Sequence, residues 1–268
     1  MSIQLLKYEE IEGLRVGRFK DRVNTTCIVY RIGSTVIDTG PPNQWNTVRN
    51  FLLEKEIKQV LITHHHEDHG GNGSNIKKEL KVPVYIRPEG IESLKKGFSL
   101  KFYQKIIWGK PKTFEAEVLP EQIELEKGVT LKTIHAPGHS DDMTCYLEPE
   151  RGWLFTGDLF IASKPKFMRA DEDPNMQIES LKLLLKYNFD KVFCSHRGIV
   201  LEGRKAIQDK IEYLETLQEK INNLYNQGKS VKEITSLLMG KESFISFFTQ
   251  YHFSKRNMIE CFINNISR

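Results

Sequence analysis

The segment Thr63–His69 reads Thr-His-His-His-Glu-Asp-His and holds four of the eight histidines of the chain. An apolar stretch, Val60–Ile62, leads directly into it and predicts a buried strand that ends at the cluster. Imidazole nitrogens and carboxylate oxygens are the ligands that zinc and related divalent ions take from proteins. An internal run of this kind, placed at the end of a strand, therefore predicts a metal site rather than a solvated polar loop.

The spacing within this segment divides its side chains between two ions. In near-extended backbone, His64 and His66 project to the same side and can share one metal, whereas His65 projects away. Asp68 and His69 follow after the chain has turned, so they can serve a second ion close by. We therefore expect His65 to be a neighbour of the site or a surface group rather than a ligand.

Other segments of the chain also carry metal-binding residue types beside turns or strand ends. They are Val36-Ile37-Asp38-Thr39-Gly40, Ala136-Pro137-Gly138-His139-Ser140, Phe155-Thr156-Gly157-Asp158 and Ser195-His196-Arg197-Gly198. Each alone fits an ordinary turn. Together with Thr63–His69, and in this order, they resemble the motifs of the metallo-β-lactamase superfamily. The resemblance covers roughly residues 15–200.

The resemblance implies a fold and a set of ligands. The fold is α/β, a four-layer αββα sandwich. The implied ligands are His64, His66 and His139 for a first ion, Asp68, His69 and His196 for a second, and Asp158 as a bridge. Asp38 is expected to hold the ligand loops by hydrogen bonds rather than to bind metal. We expect two zinc ions, with iron or manganese as alternatives, because geometry and availability decide between them.

Such a centre predicts a hydrolase with a metal-bridging hydroxide. Metal binding lowers the pKa of water from about 15.7 toward 7, and the same ions polarise the substrate carbonyl or phosphoryl oxygen. The chain has no Gly-x-Ser-x-Gly nucleophile motif, which agrees with a water nucleophile. Asp68 is the candidate catalytic residue that orients the hydroxide and shuttles its proton.

Within the superfamily, the first motif resembles that of the glyoxalase II and small-molecule thioesterase or lactonase group. This favours a small ester, thioester or lactone as substrate. Glu67 departs from the apolar or aromatic residue usual in glyoxalase II enzymes, and their basic glutathione-binding residues have no match here. A glutathione thioester is therefore not assigned.

A metal-dependent RNA endonuclease of the same superfamily is the main alternative, because a basic run follows the metal motif. Between Lys77 and Lys112 ten cationic residues oppose three acidic ones, a local excess of 10 − 3 = +7. This run could steer nucleic acid or an anionic small molecule, or form a solvated helix face. The interleaved aromatic residues Phe98, Phe102, Tyr103 and Trp108 could line a lid, stack bases or pack in the core. A mononuclear-iron persulfide dioxygenase is a further alternative.

The elements that must position these motifs change character along the chain. Alternating apolar residues predict strands in the first 40 residues, with a turn at Glu12-Gly13, and again between about 122 and 155. From Leu201 onward only helices are predicted. One long helix carries a single apolar stripe, formed by Ile207, Ile211, Leu214, Leu217, Ile221 and Leu224. Ser230 and Glu233 form a capping box for the next helix.

The last predicted helix buries Met258, Ile259, Phe262, Ile263 and Ile266. We therefore divide the chain into a metallo-β-lactamase domain over residues 1–200 and a helical C-terminal extension over 201–268 that packs on it. The extension is expected to shape the substrate entrance or to form a homodimer contact. His252 is interpreted as packing at the entry of the last helix.

Composition excludes several protein classes. The 268 residues are 39% hydrophobic, which supports a sizeable core, and the net charge of +4 does not by itself indicate nucleic acid. No stretch approaches 18 apolar residues, and the N-terminal residues do not resemble a signal peptide, so we expect no membrane association. Four cysteines without a Cys-x-x-Cys pair predict free thiols in the cytoplasm.

Overall fold

A computed structural model describes residues 2–19 and 23–266, and within these ranges a pair of large sheets packs face to face. The first sheet has seven strands that follow one another in chain order: β1 (Ser2–Tyr8), β2 (Ile11–Gly17), β3 (Thr26–Ile32), β4 (Thr35–Ile37), β5 (Gln59–Leu61), β6 (Val84–Ile86) and β7 (Glu117–Val118). The strands β1 to β4 pair antiparallel, and β4 to β7 pair parallel.

The second sheet has six strands among the described residues. Their spatial order is β14 (Gly198–Val200), β13 (Lys191–Cys194), β11 (Trp153–Gly157), β10 (Thr144–Glu148), β9 (Thr130–His135) and β8 (Gln122–Glu124). Only β11 and β13 pair parallel; the other neighbours pair antiparallel. Aromatic rings fill the space between the sheets, where Phe155 stacks on Phe193 with ring centroids 4.7 Å apart and Tyr30 meets both edge-on.

Helices cover the outer face of each sheet. The first sheet is covered by α1 (Trp45–Leu53), α2 (Gly73–Glu79) and α3 (Pro88–Lys96), and the second by α5 (Pro174–Leu184), α6 (Gly203–Asn226), α7 (Val231–Met239) and α9 (Lys255–Ile266). Two shorter helices, α4 (Phe102–Ile107) and α8 (Phe244–Phe248), complete the set described. These layers confirm the predicted four-layer αββα sandwich.

The helices α6, α7 and α9, which follow residue 200, share one hydrophobic core with the second sheet. The predicted stripe of α6 is buried except for Leu224, which is partly buried. The predicted capping box is present, because Glu233 Oε2 accepts a hydrogen bond from Ser230 N at 2.9 Å and Ser230 Oγ accepts one from Glu233 N at 3.4 Å. In α9 the predicted apolar residues Met258 to Ile263 are buried, and the side chain of Ile266 lies outside the described set.

Two expectations about the elements are wrong. The turn predicted at Glu12-Gly13 lies inside β2, and the chain reverses instead at Glu9, whose φ is +51°. Gly13 is glycine for packing rather than for turn formation, because a side chain at this strand position would crowd β3. An added Cβ would lie 3.1 Å from Ile28 Cγ2. The region after Leu201 is not helix only, since β15 (Phe253–Ser254) pairs with β12 (Met168–Arg169) in a small antiparallel sheet.

All four cysteines are free thiols, as predicted. Among the described residues, no helix is both long and apolar enough to cross a membrane.

Candidate metal centre

The seven predicted donor residues meet at one edge of the sandwich. The donors of the first motif follow β5, Asp158 follows β11 and His196 follows β13, while His139 lies in the loop between β9 and β10. Because the carboxyl ends of β5, β11 and β13 lie at the same edge, loops distant in sequence come together there. All seven are buried: His64, His66, Asp68, His69, His139, Asp158 and His196.

Three imidazoles form the first donor set. His64 Nε2 lies 2.8 Å from His66 Nδ1, and His139 Nε2 lies 3.0 Å from the same atom. The three nitrogens lie within 4.8 Å of one another, as the ligands of a single ion must. Burial holds the pKa of His64 and of His66 well below the usual range, which favours the neutral imidazole that binds metal.

Asp68, His69 and His196 form the second donor set. Asp68 Oδ1 lies 3.7 Å from His69 Nε2, and its Oδ2 lies 3.5 Å from His196 Nε2. Asp158 lies between the sets, because its Oδ2 is 3.0 Å from His196 Nε2 and 3.6 Å from His139 Nε2. The arrangement suits two neighbouring ions with one carboxylate reaching both.

Two buried atoms of this cluster have no hydrogen-bond partner among the described residues. They are His69 Nε2 and Asp158 Oδ1, and they face each other at 3.4 Å. Buried polar atoms are rarely left unpaired unless an ion or water satisfies them. Burial alone would lower the pKa of His196, but the charges of Asp158 and Asp68 raise it to about 9, so the site favours added positive charge. The residues therefore fit divalent metal ions.

In four of the five histidine ligand candidates, the ring nitrogen that points away from the donor sets is also paired, which fixes the orientation of the ring. The contacts are His64 Nδ1 with Thr63 Oγ1 at 3.0 Å, His69 Nδ1 with Asp38 Oδ2 at 2.8 Å, His139 Nδ1 with Glu172 Oε1 at 3.1 Å, and His196 Nδ1 with Thr26 O at 2.5 Å. A ring held on one nitrogen presents the other to the centre. His66 differs, because it presents Nδ1.

Asp38 lies beneath the cluster, where it joins the ligand loops. Besides the contact with His69, its carboxylate accepts hydrogen bonds from Thr63 N at 2.9 Å and from Ser195 Oγ at 2.8 Å. Its backbone is left-handed, with φ +63°, a conformation that aspartate tolerates better than most residues. The carboxylate thus ties the end of β5 to the end of β13, and it belongs to none of the donor groups.

Three histidines lie outside the donor groups: His65, His135 and His252. His65 points away from the centre, and its backbone N and Nδ1 meet Asp142 at 2.7 and 2.9 Å. His135 contacts the carbonyl of Asp141 at 2.7 Å.

The helix α4, which the sequence patterns did not predict, covers the centre. Its buried residue Gln104 donates a hydrogen bond from Nε2 to Glu67 Oε1 at 2.7 Å, and the Trp108 ring lies 6.4 Å from that of His196. Of the aromatic residues proposed for a lid or for base stacking, Trp108 and Tyr103 are buried, whereas Phe102 is 74% exposed.

Arg169, which the sequence did not single out, and His252 complete the surroundings. Arg169 is buried, and its Nη1 lies 3.4 Å from His66 Nδ1. His252 is not a simple packing residue, because its Nδ1 forms a 2.6 Å hydrogen bond with Tyr103 Oη and its Nε2 lies 3.6 Å from Asp171 Oδ1. The only hint in the sequence was the charged segment 169–173, but no spacing rule links this segment to the histidine motif.

The basic run after the metal motif is partly neutralised. Four of its ten cationic side chains pair with carboxylates: Lys77 with Glu117 at 3.5 Å, Arg87 with Glu89 at 3.1 Å, Lys95 with Glu115 at 3.2 Å and Lys96 with Glu92 at 2.8 Å. Two of these partners, Glu115 and Glu117, lie beyond the run itself. The local excess of positive charge is therefore smaller than the sequence count suggests.

Comparisons with curated proteins identify relatives with lactamase-like and thioesterase names. The chain is 33% identical over 249 residues to the atrochrysone carboxyl ACP thioesterase of Aspergillus terreus, covering 85% of this chain and 70% of that protein. It is 28% identical over 228 residues to the beta-lactamase-like protein 2 homolog of Caenorhabditis elegans, covering 80% and 68%. It spans 59% of the lactamase-like protein aptB of Emericella nidulans, at 25% identity over 207 residues and 75% of this chain.

Solved structures share the fold over almost the whole chain. A metallo-beta-lactamase family protein of Thermus thermophilus matches with a TM-score of 0.70 at 17% identity, covering 97% of this chain and 95% of that chain. A beta-lactamase domain protein of Burkholderia ambifaria matches with a TM-score of 0.75 at 14% identity, covering 98% and 88%. The family model described as "Metallo-beta-lactamase superfamily" matches residues 19–196. With its donor residues gathered at one edge of an αββα sandwich, the chain belongs to the metallo-beta-lactamase superfamily.

Proposed function

We propose that the protein is a metal-dependent hydrolase that cleaves a small thioester, with esters and lactones as the wider substrate class. The observation that carries this proposal is the buried cluster of seven donors, in which His69 Nε2 and Asp158 Oδ1 have no hydrogen-bond partner among the described residues. The thioesterase names of relatives such as that of Aspergillus terreus favour the thioester within this class.

The donor sets support the following assignment of metal ligands. His64, His66 and His139 would hold one ion, and Asp68, His69 and His196 a second, with Asp158 between them. Zinc suits such nitrogen-rich sets, and iron or manganese are alternatives. When bound, divalent ions supply a water nucleophile that is activated near neutral pH and polarise the carbonyl oxygen of the substrate.

The reaction itself needs one proton transfer. Water oxygen attacks the carbonyl carbon of the thioester, the carbon–sulfur bond breaks, and a proton passes to the leaving thiolate sulfur. Asp68 is the group we assign to this transfer, because its two oxygens lie at the centre, within 3.7 Å of His69 and 3.5 Å of His196. The buried side chains of Gln104, in α4, and of Trp108, which directly follows α4, restrict the access of bulk water.

Thiol release from a short acyl thioester tests this proposal. Wild type loaded with zinc or manganese should release thiol, and protein stripped by a chelator should not. Asp68→Asn should bind the second ion more weakly and, even with metal in excess, should lose activity by about 10²- to 10⁴-fold. Asp141→Asn makes the same substitution at an exposed aspartate outside the donor groups. It is the control and should behave as wild type. Full activity of Asp68→Asn would remove the role assigned to Asp68.

Single-stranded RNA and a persulfide should be assayed in parallel, since these substrates represent the alternative activities. Metal-dependent RNA cleavage without thioester turnover would replace the thioesterase proposal by an endonuclease. Oxygen-dependent consumption of a persulfide with a single bound iron would replace it by a dioxygenase.

A further inference from the structure

Arg169 lies beside the first donor set with one side of its guanidinium turned to the centre. Nε and Nη2 form a bidentate pair with Asp171 Oδ1 and Oδ2, both at 2.9 Å. The remaining nitrogen, Nη1, lies 3.4 Å from His66 Nδ1. Among the described residues, Asp171 is the only carboxylate in ion-pair contact with Arg169.

The guanidinium has the same sign of charge as the metal ions that the donor sets would hold. The donor sets collect positive charge, and a guanidinium a few ångströms away is repelled by it in a poorly solvated site. The pair with Asp171 accounts for Nε and Nη2 but leaves the N–H groups of Nη1 without a carboxylate. A buried arginine is stable when its donors are satisfied, and its planar donors suit a carboxylate. An anion that enters with the substrate would offset the positive charge and would accept hydrogen bonds from Nη1.

The surroundings hold Arg169 in this orientation from two separate parts of the chain. In the small sheet Arg169 is paired with Phe253, whose ring centroid lies 5.8 Å from the guanidinium carbon. Asp171 is contacted by His252 Nε2 at 3.6 Å, and His252 Nδ1 is hydrogen-bonded to Tyr103 Oη at 2.6 Å. A binding group needs such support to keep its geometry. The C-terminal segment and α4 therefore position Arg169 together.

We propose that Arg169 determines substrate specificity by binding a carboxylate on the acyl chain of the thioester. The substrate class is then a thioester of a short dicarboxylic acid. Because Nη1 lies so close to His66, the carboxylate must stand only a few carbons from the scissile carbonyl. This inference rests on the proposed thioesterase function.

Matched substrate pairs test the assignment. Malonyl, succinyl and glutaryl thioesters of one small thiol should be compared with their methyl esters, which have the same acyl chain but no charge. Arg169→Met should lower kcat/KM for the preferred charged substrate by about 10- to 100-fold, the effect of losing one charged hydrogen bond. The neutral partner should change by less than about threefold. Arg169→Lys should recover part of the loss, and Arg49→Met, which removes an arginine paired with Glu79 on the surface, should change neither.

Binding of free acids gives a readout that does not depend on turnover. Calorimetry should show that metal-loaded Arg169→Met, compared with wild type, loses affinity for succinate but not for its uncharged diamide. Equal losses for charged and neutral compounds, or no loss for either, would overturn the assignment. If wild type hydrolyses no thioester, the proposed function fails, and the calorimetric comparison still decides whether Arg169 recognises a carboxylate.

Discussion

Three side chains approach one ring nitrogen of the ligand candidate His66. His64, His139 and Arg169 all approach its Nδ1, at 2.8, 3.0 and 3.4 Å. His65, its neighbour in sequence, points to Asp142 instead. Adjacent histidines therefore provide a matched pair in which one side chain faces the centre and the other does not.

Replacing these two histidines separately should give opposite results. His66→Ala should lose metal from the first donor set, because only His64 and His139 remain there. His65→Ala should keep the metal content of wild type. Elemental analysis of the purified variants measures this directly. Equal metal loss in both variants would show that the alternation along this segment is misassigned.

Tyr103 should act on substrate binding without touching the metals. Tyr103→Phe removes the 2.6 Å hydrogen bond to His252 and loosens the support of Asp171 and Arg169. Loss of one neutral hydrogen bond should raise KM for a dicarboxylic thioester about fivefold and leave kcat within about twofold. Tyr213→Phe, which removes a 3.3 Å hydrogen bond to Pro165 O, is the control. A fall in kcat at constant KM would contradict this role.

At the scale of elements, α6 carries a buried amine behind the centre. Lys210 is 4% exposed and donates hydrogen bonds to Leu159 O at 2.6 Å and Gln177 Oε1 at 3.0 Å. Burial lowers the pKa of Lys210 from 10.5 to about 8. Below pH 8 the amine is protonated in both folded and unfolded chains. Between pH 8 and 10.5 the unfolded chain holds more protons on this group. Its contribution to the free energy of unfolding therefore increases as pH rises.

Lys210→Met isolates this effect. The free energy of unfolding of wild type minus that of the variant should increase by about 3 kcal/mol from pH 8 to 10.5. Chemical denaturation at several pH values measures the difference. A difference that stays constant across this range would mean that the folded chain keeps the proton on Lys210.

Sequence patterns predicted the elements whose signal lies within one segment. The stripe of α6, the capping box of α7 and the strand before His64 each depend on neighbours in sequence, and the structure contains all three. The two-residue strands β12 and β15 carry no periodicity, since their pairing is fixed by tertiary packing. For the same reason Arg169 and His252 could not be connected from the sequence.

The donor residues, unlike these supporting residues, could be predicted from the sequence. His64, His66, Asp68 and His69 lie in one short segment, and the resemblance to a known family supplied the other three. The helix α4 was missed because Phe102–Ile107 is too short to show an apolar period. The covering residues Gln104 and Trp108 could therefore be located only in the folded chain.

At the scale of the whole molecule, the C-terminal helices complete the core. Residues of α6, α7 and α9 pack with those of α5 and the second sheet in one cluster. Removal of residues 201–268 should expose the apolar face of α5 and β13 and give aggregated or poorly folded protein. Size-exclusion chromatography and circular dichroism of the truncated chain measure this. A soluble, folded and active truncated chain would contradict the prediction.

The response to salt separates the two substrate classes. Hydrolysis of a dicarboxylic thioester involves one or two charges, so its KM should change only modestly between 50 and 200 mM salt. RNA binding through many phosphate contacts should weaken by about 10³-fold over this range. The ion pairs of Lys77, Lys95 and Lys96 favour the first outcome. A steep salt dependence of thioester hydrolysis would contradict recognition by the single group Arg169.

Metal titration tests the central claim, which is that the seven-donor cluster binds divalent metal and that the bound metal is required for thioester hydrolysis. Protein stripped by a chelator should be titrated with zinc and with manganese while bound metal and thiol release are measured on the same samples. Activity should be absent at the start and should saturate at about two ions per chain, whereas Asp158→Ala should bind less metal and stay inactive. Full thioester hydrolysis by the stripped chain, or by metal-free Asp158→Ala, would contradict the claim.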